Sequence, residues 1–201
     1  MQQKSLYRCI LVALAGLVIA LSAPALVEGQ TVSGNARVVQ PNVVELTGIA
    51  TTVLADTGTL TDSSDARSTS QPTGAVPSLL TGGTLHAVTI GWPDEVASEA
   101  SIGKLALYVA GTTIGADFVM SRVRAQLGSA AAGSADISGL SVNGIPISVT
   151  GDRNQTIAIP GGRLVINEQQ TASSGTVVNA LHVTVNGVAD VVIASASAGI
   201  R

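Results

Sequence analysis

The sequence predicts an all-β fold, a two-layer antiparallel β-sandwich, and three observations carry that expectation. Val, Ile, Thr and Ala recur with period two through the middle and C-terminal parts of the chain. Gly, Asn-Gly and Pro-Gly punctuate those runs at hairpin positions. Charged residues make up only 11% of the 201-residue chain, so Thr, Ser, Asn and Gly must carry much of the surface. A closed β-barrel is the second expectation and a β-solenoid the third. A signal-peptide helix is expected ahead of the sheets.

Residues 1–29 read as that signal. Lys4 and Arg8 supply a basic start, and Cys9–Ala20 form an apolar and glycine run of about 12 residues. Such a run is too short to span a bilayer, which takes roughly 20 residues. Small residues follow at Ser22-Ala23-Pro24-Ala25, and cleavage is expected after Ala25 or after Gly29. Cys9 leaves with the signal, so the exported part contains no disulfide and no thiolate metal site. Core packing alone must then hold the fold. Loss of residues 1–29 takes Lys4 and Arg8 from ten basic residues and Glu28 from thirteen acidic ones, moving the net charge from −3 to −4. That balance offers no basic patch for nucleic acid or anionic lipid. The remaining stretch of about 170 residues suits one domain. A domain of that size buries roughly 70% of its unfolded surface.

Residues 30–56 read as an N-terminal β segment. Residues 57–83 are rich in Ser, Thr, Asp, Gly and Pro and read as a long mobile loop. The main β body is expected over 84–201. Thr84–Trp92 places Val88, Ile90 and Trp92 on one face. Ile102–Val109 places Leu105, Leu107 and Val109 on one face, with Lys104 and Tyr108 opposite. Thr113–Leu127 changes phase near Val119–Arg122, which predicts a β-bulge or a strand passing between sheets. Asn143-Gly144 predicts a type I′ hairpin, and Asn186-Gly187 repeats the device. Pro146 cannot donate to a ladder, so its strand belongs at an edge. Pro160-Gly161-Gly162 predicts a further turn. Thr176–Val185 alternates Val177, Asn179, Leu181, Val183 and Val185 against a mixed face. Ala189–Ala198 closes the series with small side chains that permit close approach of another layer. Trp92, Tyr108 and Phe118 are expected as the few large pieces of the core.

Little in the sequence points to chemistry. His86 and His182 are the two histidines, each on an expected strand. Glu168 would reach His182 or Arg163 if their strands pair, and Asn179 belongs to the same polar cluster. A Glu–His pair can serve as base and orienter, but cross-strand hydrogen bonding is the commoner role. Ser195 and Ser197 lack the Gly-x-Ser-x-Gly elbow of a nucleophile. Asp62-Ser63-Ser64-Asp65 and Asp94-Glu95 lack the alternating ligands of a calcium loop. Asn154-Gln155-Thr156 is a glycosylation sequon by pattern alone. No catalytic, cofactor-binding or metal-ligating residue is therefore assigned, and no cofactor is expected.

An ordered set of motifs runs through the second half. It comprises Ala97-Ser98-Glu99-Ala100-Ser101, Gly139-Leu140-Ser141-Val142-Asn143-Gly144-Ile145-Pro146-Ile147 and Asn154-Gln155-Thr156-Ile157-Ala158-Ile159-Pro160-Gly161-Gly162. Leu164-Val165-Ile166-Asn167-Glu168-Gln169, Val178-Asn179-Ala180-Leu181-His182-Val183 and Ala189-Asp190-Val191-Val192-Ile193-Ala194-Ser195-Ala196-Ser197-Ala198-Gly199 follow. In this order they resemble the choice-of-anchor P family of exported bacterial proteins. The resemblance covers roughly residues 84–200, and residues 30–83 match less well. It implies a signal-bearing, secreted or surface domain of unassigned activity, with no catalytic residues to carry over. The chain ends at Arg201 with no sortase signal, hydrophobic tail or basic tail, so free secretion or a periplasmic place is expected over tethering.

The function expected from these readings is that of a non-enzymatic structural or interaction protein of the bacterial exterior: a matrix component, adhesion module or surface-layer accessory. Its partners would be other surface proteins, or itself by strand-edge pairing, with the N-terminal segment free to join a neighbour's sheet. Nucleic acid is not expected as a partner, and the membrane only through the signal segment during export. The alternatives are an extracellular glycan- or calcium-binding module and a hydrolase using Glu168 and His182.

Overall fold

The computed structural model describes residues 30–45 and 48–201, and the signal helix expected over residues 1–29 lies outside them. Among the described residues the strands follow in chain order: β1 Val32–Glu45, β2 Gly48–Thr51, β3 Leu54–Asp56, β4 Ala66–Gln71, β5 Gly74–Val76, β6 Leu80–Gly82, β7 Leu85–Gly91 and β8 Glu95–Val109. Then come β9 Thr112–Gln126, β10 Ala132–Ser138, β11 Ser141–Val142, β12 Ile145–Pro146, β13 Gln155–Ile159, β14 Gly162–Ala172, β15 Gly175–Val185 and β16 Ala189–Ile200. Among the described residues there is no helix.

The strands form two antiparallel sheets that do not close into a barrel. The smaller runs β13-β14-β15-β16-β1-β2, with β3 also on β1. The larger is built on the long β8–β9 hairpin, which two shorter strands flank on each side. β7 and β6 lie along successive parts of β8, and β10 and β11 along successive parts of β9. β4 extends the larger sheet beyond β7. Ile102, Leu107 and Ile114 of the larger sheet and Leu164, Ile166, Leu181 and Ile193 of the smaller sheet are fully buried in one apolar cluster. Leu60, Val96, Val123, Val178, Ala196 and Ala198 form a second, smaller cluster. The small side chains of β16 let that strand lie close over β8 and β9.

Each sheet is crossed by a line where strands change the face they show to the core. In the smaller sheet Ile166 pairs with Leu181 and Glu168 with Asn179, leaving Asn167 opposite Ala180. The next ladders leave Ala194 and Val38 unpaired on the same line. Asn167 and Ala194 take left-handed backbone there, each with φ 51°. In the larger sheet Lys104, φ 50°, sits opposite Asp117. The flanking strands break on this second line, β6 from β7 and β10 from β11. Gly139 bridges the latter break, and a Cβ there would collide with the Asp117 carboxylate.

The turns follow the chemistry of their residues. Asn143 and Gly144 both have positive φ, 51° and 76°, as a type I′ turn requires. At Asn186-Gly187 only the glycine is left-handed, and Val185 pairs with Ala189, so this hairpin has a longer loop of different type. Pro146 lies on β12, the outermost strand of its row. The phase change in β9 falls at Asp117–Phe118, between inward Ala116 and Val119, slightly before the expected position.

Three further expectations differ from the structure. Residues 57–83 hold β4, β5 and β6: alternating Ser and Thr in Ala66–Gln71 satisfy a ladder to β7 without burying apolar side chains. The N-terminal segment is not free, because β1 lies between β16 and β2 inside the smaller sheet. Trp92, Tyr108 and Phe118 are 40%, 54% and 36% exposed rather than central to the core. Trp92 sits in the β7–β8 turn, Tyr108 alternates outward between Leu107 and Val109, and Phe118 lies at the phase change. The interior is aliphatic.

Candidate functional site

The outer face of the smaller sheet gathers the polar residues of three separate strands. Leu181 and Val183 point into the core, so His182 between them points out. Ala189 and Val191 likewise turn Asp190 outward. Glu168 faces outward only because the left-handed Asn167 reverses the alternation of β14 after Ile166. Without that reversal the carboxylate would enter the aliphatic core.

The three side chains meet on the imidazole. His182 Nδ1 lies 2.9 Å from Glu168 Oε2, and Nε2 lies 2.9 Å from Asp190 Oδ2. Asn179 Nδ2 donates to the same Glu168 oxygen at 2.6 Å. Ionised carboxylates only accept hydrogen bonds, so both ring nitrogens must carry protons to satisfy both partners. Burial disfavours the charged ring, yet the Asp190 and Glu168 hydrogen bonds and their negative charges outweigh it and raise the His182 pKa above its usual 6.5. Burial also pushes Glu168 up, but the Asn179 and His182 hydrogen bonds and the imidazolium charge bring its pKa below the usual 4.5. The cluster is a charged bridge across β14, β15 and β16.

Polar contacts continue across this face and towards its β14 edge. Arg37 of β1 donates to Asp56 at 3.1 Å and to Gln40, and Asn35 donates to Asp56 at 2.8 Å. Asn167 Nδ2 donates to the Gly151 carbonyl, while Gln169 Nε2 donates to Asn167 Oδ1 and to the Gly133 carbonyl of β10. Gln169 thereby ties the edge of one sheet to the other.

The remaining sequence candidates are spent locally. Arg163 is exposed on β14 and has no bond to Glu168. His86 Nδ1 lies 2.7 Å from Ser70 Oγ across β7 and β4. Asp62 accepts hydrogen bonds from the Ser64 N–H and hydroxyl, and Asp65 from Thr61 and Arg67. Glu95 pairs with Arg124. Asn154 accepts from the Gln169 N–H, and Ser197 donates to the Asn35 carbonyl. Among the described residues no three His, Cys, Asp or Glu side chains are grouped to hold a metal ion.

Asp190 is the member of the cluster that sequence reasoning missed. Its signal was its outward phase two ladder positions from His182, on the neighbouring row of the same face, legible only once the β15–β16 register was known. A hydrolase built on Glu168 and His182 needs a ring nitrogen able to take a proton from substrate or water. Here each nitrogen already faces a carboxylate. The chemistry that the arrangement supports directly is strand-to-strand bridging. No family model matches the chain, and no curated protein or solved structure matches it.

Proposed function

We propose that this chain is an exported, non-catalytic structural or interaction protein of the bacterial exterior, its two sheets forming a β-sandwich. The observation that carries the reading is the Glu168–His182–Asp190 bridge. Residues from three of the motifs behind the choice-of-anchor P resemblance converge there, and they spend their hydrogen-bonding capacity on one another. Export is supported by the basic, apolar and small-residue order of residues 1–29.

Edge pairing supplies the contact mechanism. β13 is the last strand of its sheet, and Gln155-Thr156-Ile157-Ala158-Ile159 contains no charge and no proline. Such an edge is open to another strand. The outermost β12 of the other sheet carries Pro146, which discourages pairing. The test is expression of the full chain in a bacterial host, followed by fractionation and N-terminal sequencing. The expected product lies outside the cytoplasm and begins at Leu26 or Gln30. Full-length protein confined to the cytosol overturns the export reading. Turnover of a hydrolase substrate that is lost in Glu168→Gln overturns the non-catalytic one.

A further inference from the structure

The outer face of the larger sheet carries a groove of about 470 Å³, and small-molecule sites span roughly 300–1,000 Å³. Its apolar side is formed by Val88 and Ile90 of β7 and Ala97 of β8. Its charged side is formed by Glu99 of β8 and by Arg122 and Arg124 of β9. The ladder puts these in two adjacent rows, Ile90–Ala97–Arg124 and Val88–Glu99–Arg122. All six alternate with residues that face the core, so the groove belongs to the outer surface.

The two arginines are not equally committed. Arg124 is hydrogen-bonded to Glu95. Arg122 Nε stands 3.8 Å from Glu99 Oε2, too far for a hydrogen bond, and its side chain is 56% exposed. Among the described residues its Nη2 has only the thioether of Met120, at 3.5 Å, a weak acceptor. A guanidinium with donors to spare therefore stands beside an apolar floor. The lining holds two cations against one anion.

We propose that this groove binds a free single-chain amphiphilic anion, an alkyl carboxylate. Its chain lies on Val88, Ile90 and Ala97, and its carboxylate takes the terminal nitrogens of Arg122. From β7 to β9 is two strand spacings, roughly 10 Å, which a medium-length alkyl chain covers. The fork of Arg122 suits a carboxylate held by two parallel hydrogen bonds. This site stands apart from the Glu168–His182–Asp190 bridge, which lies on the other sheet.

The test is calorimetric titration of the full exported chain with decanoate, decanol and decyltrimethylammonium, each below its micelle concentration. Decanoate is expected to bind once per chain, about ten-fold or more tighter than the cation. Arg122→Gln should bring decanoate to the affinity of decanol, and Val88→Asp should weaken it further. Both positions face away from the core, and unchanged thermal melting of each variant confirms folding. The proposal is overturned by a cation that binds as tightly as decanoate, or by Arg122→Gln without effect. Absence of saturable decanoate binding, or binding only to anionic vesicles, overturns it equally.

Discussion

Lys104 in one sheet and Asn167 in the other hold the same left-handed backbone, φ 50° and 51°, each where its strand changes the face it shows to the core. Asparagine tolerates this conformation through its short polar side chain, but lysine does not, and the strain is roughly 1–2 kcal/mol for an ordinary L-residue. Lys104 is exposed, so its side chain contributes little burial. Lys104→Gly should therefore stabilise the fold by about 0.5–1 kcal/mol, the strain relieved less the extra unfolded-state entropy of glycine. Lys104→Val should destabilise it, because a β-branched residue fits this region worse. Urea midpoints of the two variants moving in opposite directions would establish the strain; a shift of the same sign in both would refute it.

The histidine bridge makes stability depend on pH in a defined window. His182 has a folded pKa raised above 6.5, so its contribution is complete below that value and fades as pH rises through the folded pKa. Glu168 has a folded pKa lowered below 4.5, so its contribution is complete above that value and fades as pH falls through the folded pKa. Both are present together between about 4.5 and 6.5, where the bridge stabilises most. His182→Gln should lose about 1–3 kcal/mol in this window, with a smaller loss at alkaline pH. Urea unfolding measured across pH checks it. A variant whose loss is independent of pH would show that the ring is neutral in the fold.

The ladder of strands was most legible from the alternation after Thr84 where strands keep one phase. β7 was readable because Leu85, Ala87 and Thr89 alternate cleanly against His86, Val88 and Ile90, whereas β8 begins at Glu95, ahead of the Ile102 expected from the sequence. Period two does not say which face is inward, however. Val88 and Ile90 look like core residues and lie on the outer surface, while the smaller Ala87 and Thr89 are buried. Within segment 57–83, read as loop, Ala66–Gln71 carries only polar alternation and no hydrophobic signal, yet backbone pairing to β7 suffices there. The Glu168–His182 contact was anticipated because it needs only neighbouring strands. Asp190 was not, because its approach depends on a register set by the three-residue turn at Asn186–Val188.

The position of Trp92 gives a direct optical check. It is the only tryptophan of the chain and is 40% exposed in the β7–β8 turn, where its backbone N–H donates to the Glu95 carbonyl. An indole placed in this way should be quenched by acrylamide in the native protein nearly as readily as in urea. Unfolding should therefore produce a small change in its emission. Strong protection from acrylamide in the native state would return Trp92 to the core.

Ser121 separates a cost of burial from a benefit of pairing. Its hydroxyl is fully buried on the inner face of β9 and has no hydrogen-bond partner among the described residues. On the next inward-facing row of the same sheet, Thr89 Oγ1 and Ser98 Oγ, also buried, lie 2.7 Å apart and satisfy each other. Removing the unpaired hydroxyl in Ser121→Ala should stabilise the fold by about 1 kcal/mol, since a desolvated polar group is lost and no bond is broken. Ser98→Ala should have the opposite sign, about 1–2 kcal/mol of destabilisation, because Thr89 is then left buried without its partner. Replacing both Thr89 and Ser98 by apolar residues, as in Thr89→Val with Ser98→Ala, should recover most of that loss. Denaturant midpoints of the three variants decide it: Ser121→Ala less stable than the parent would mean that its hydroxyl is paired in the folded protein.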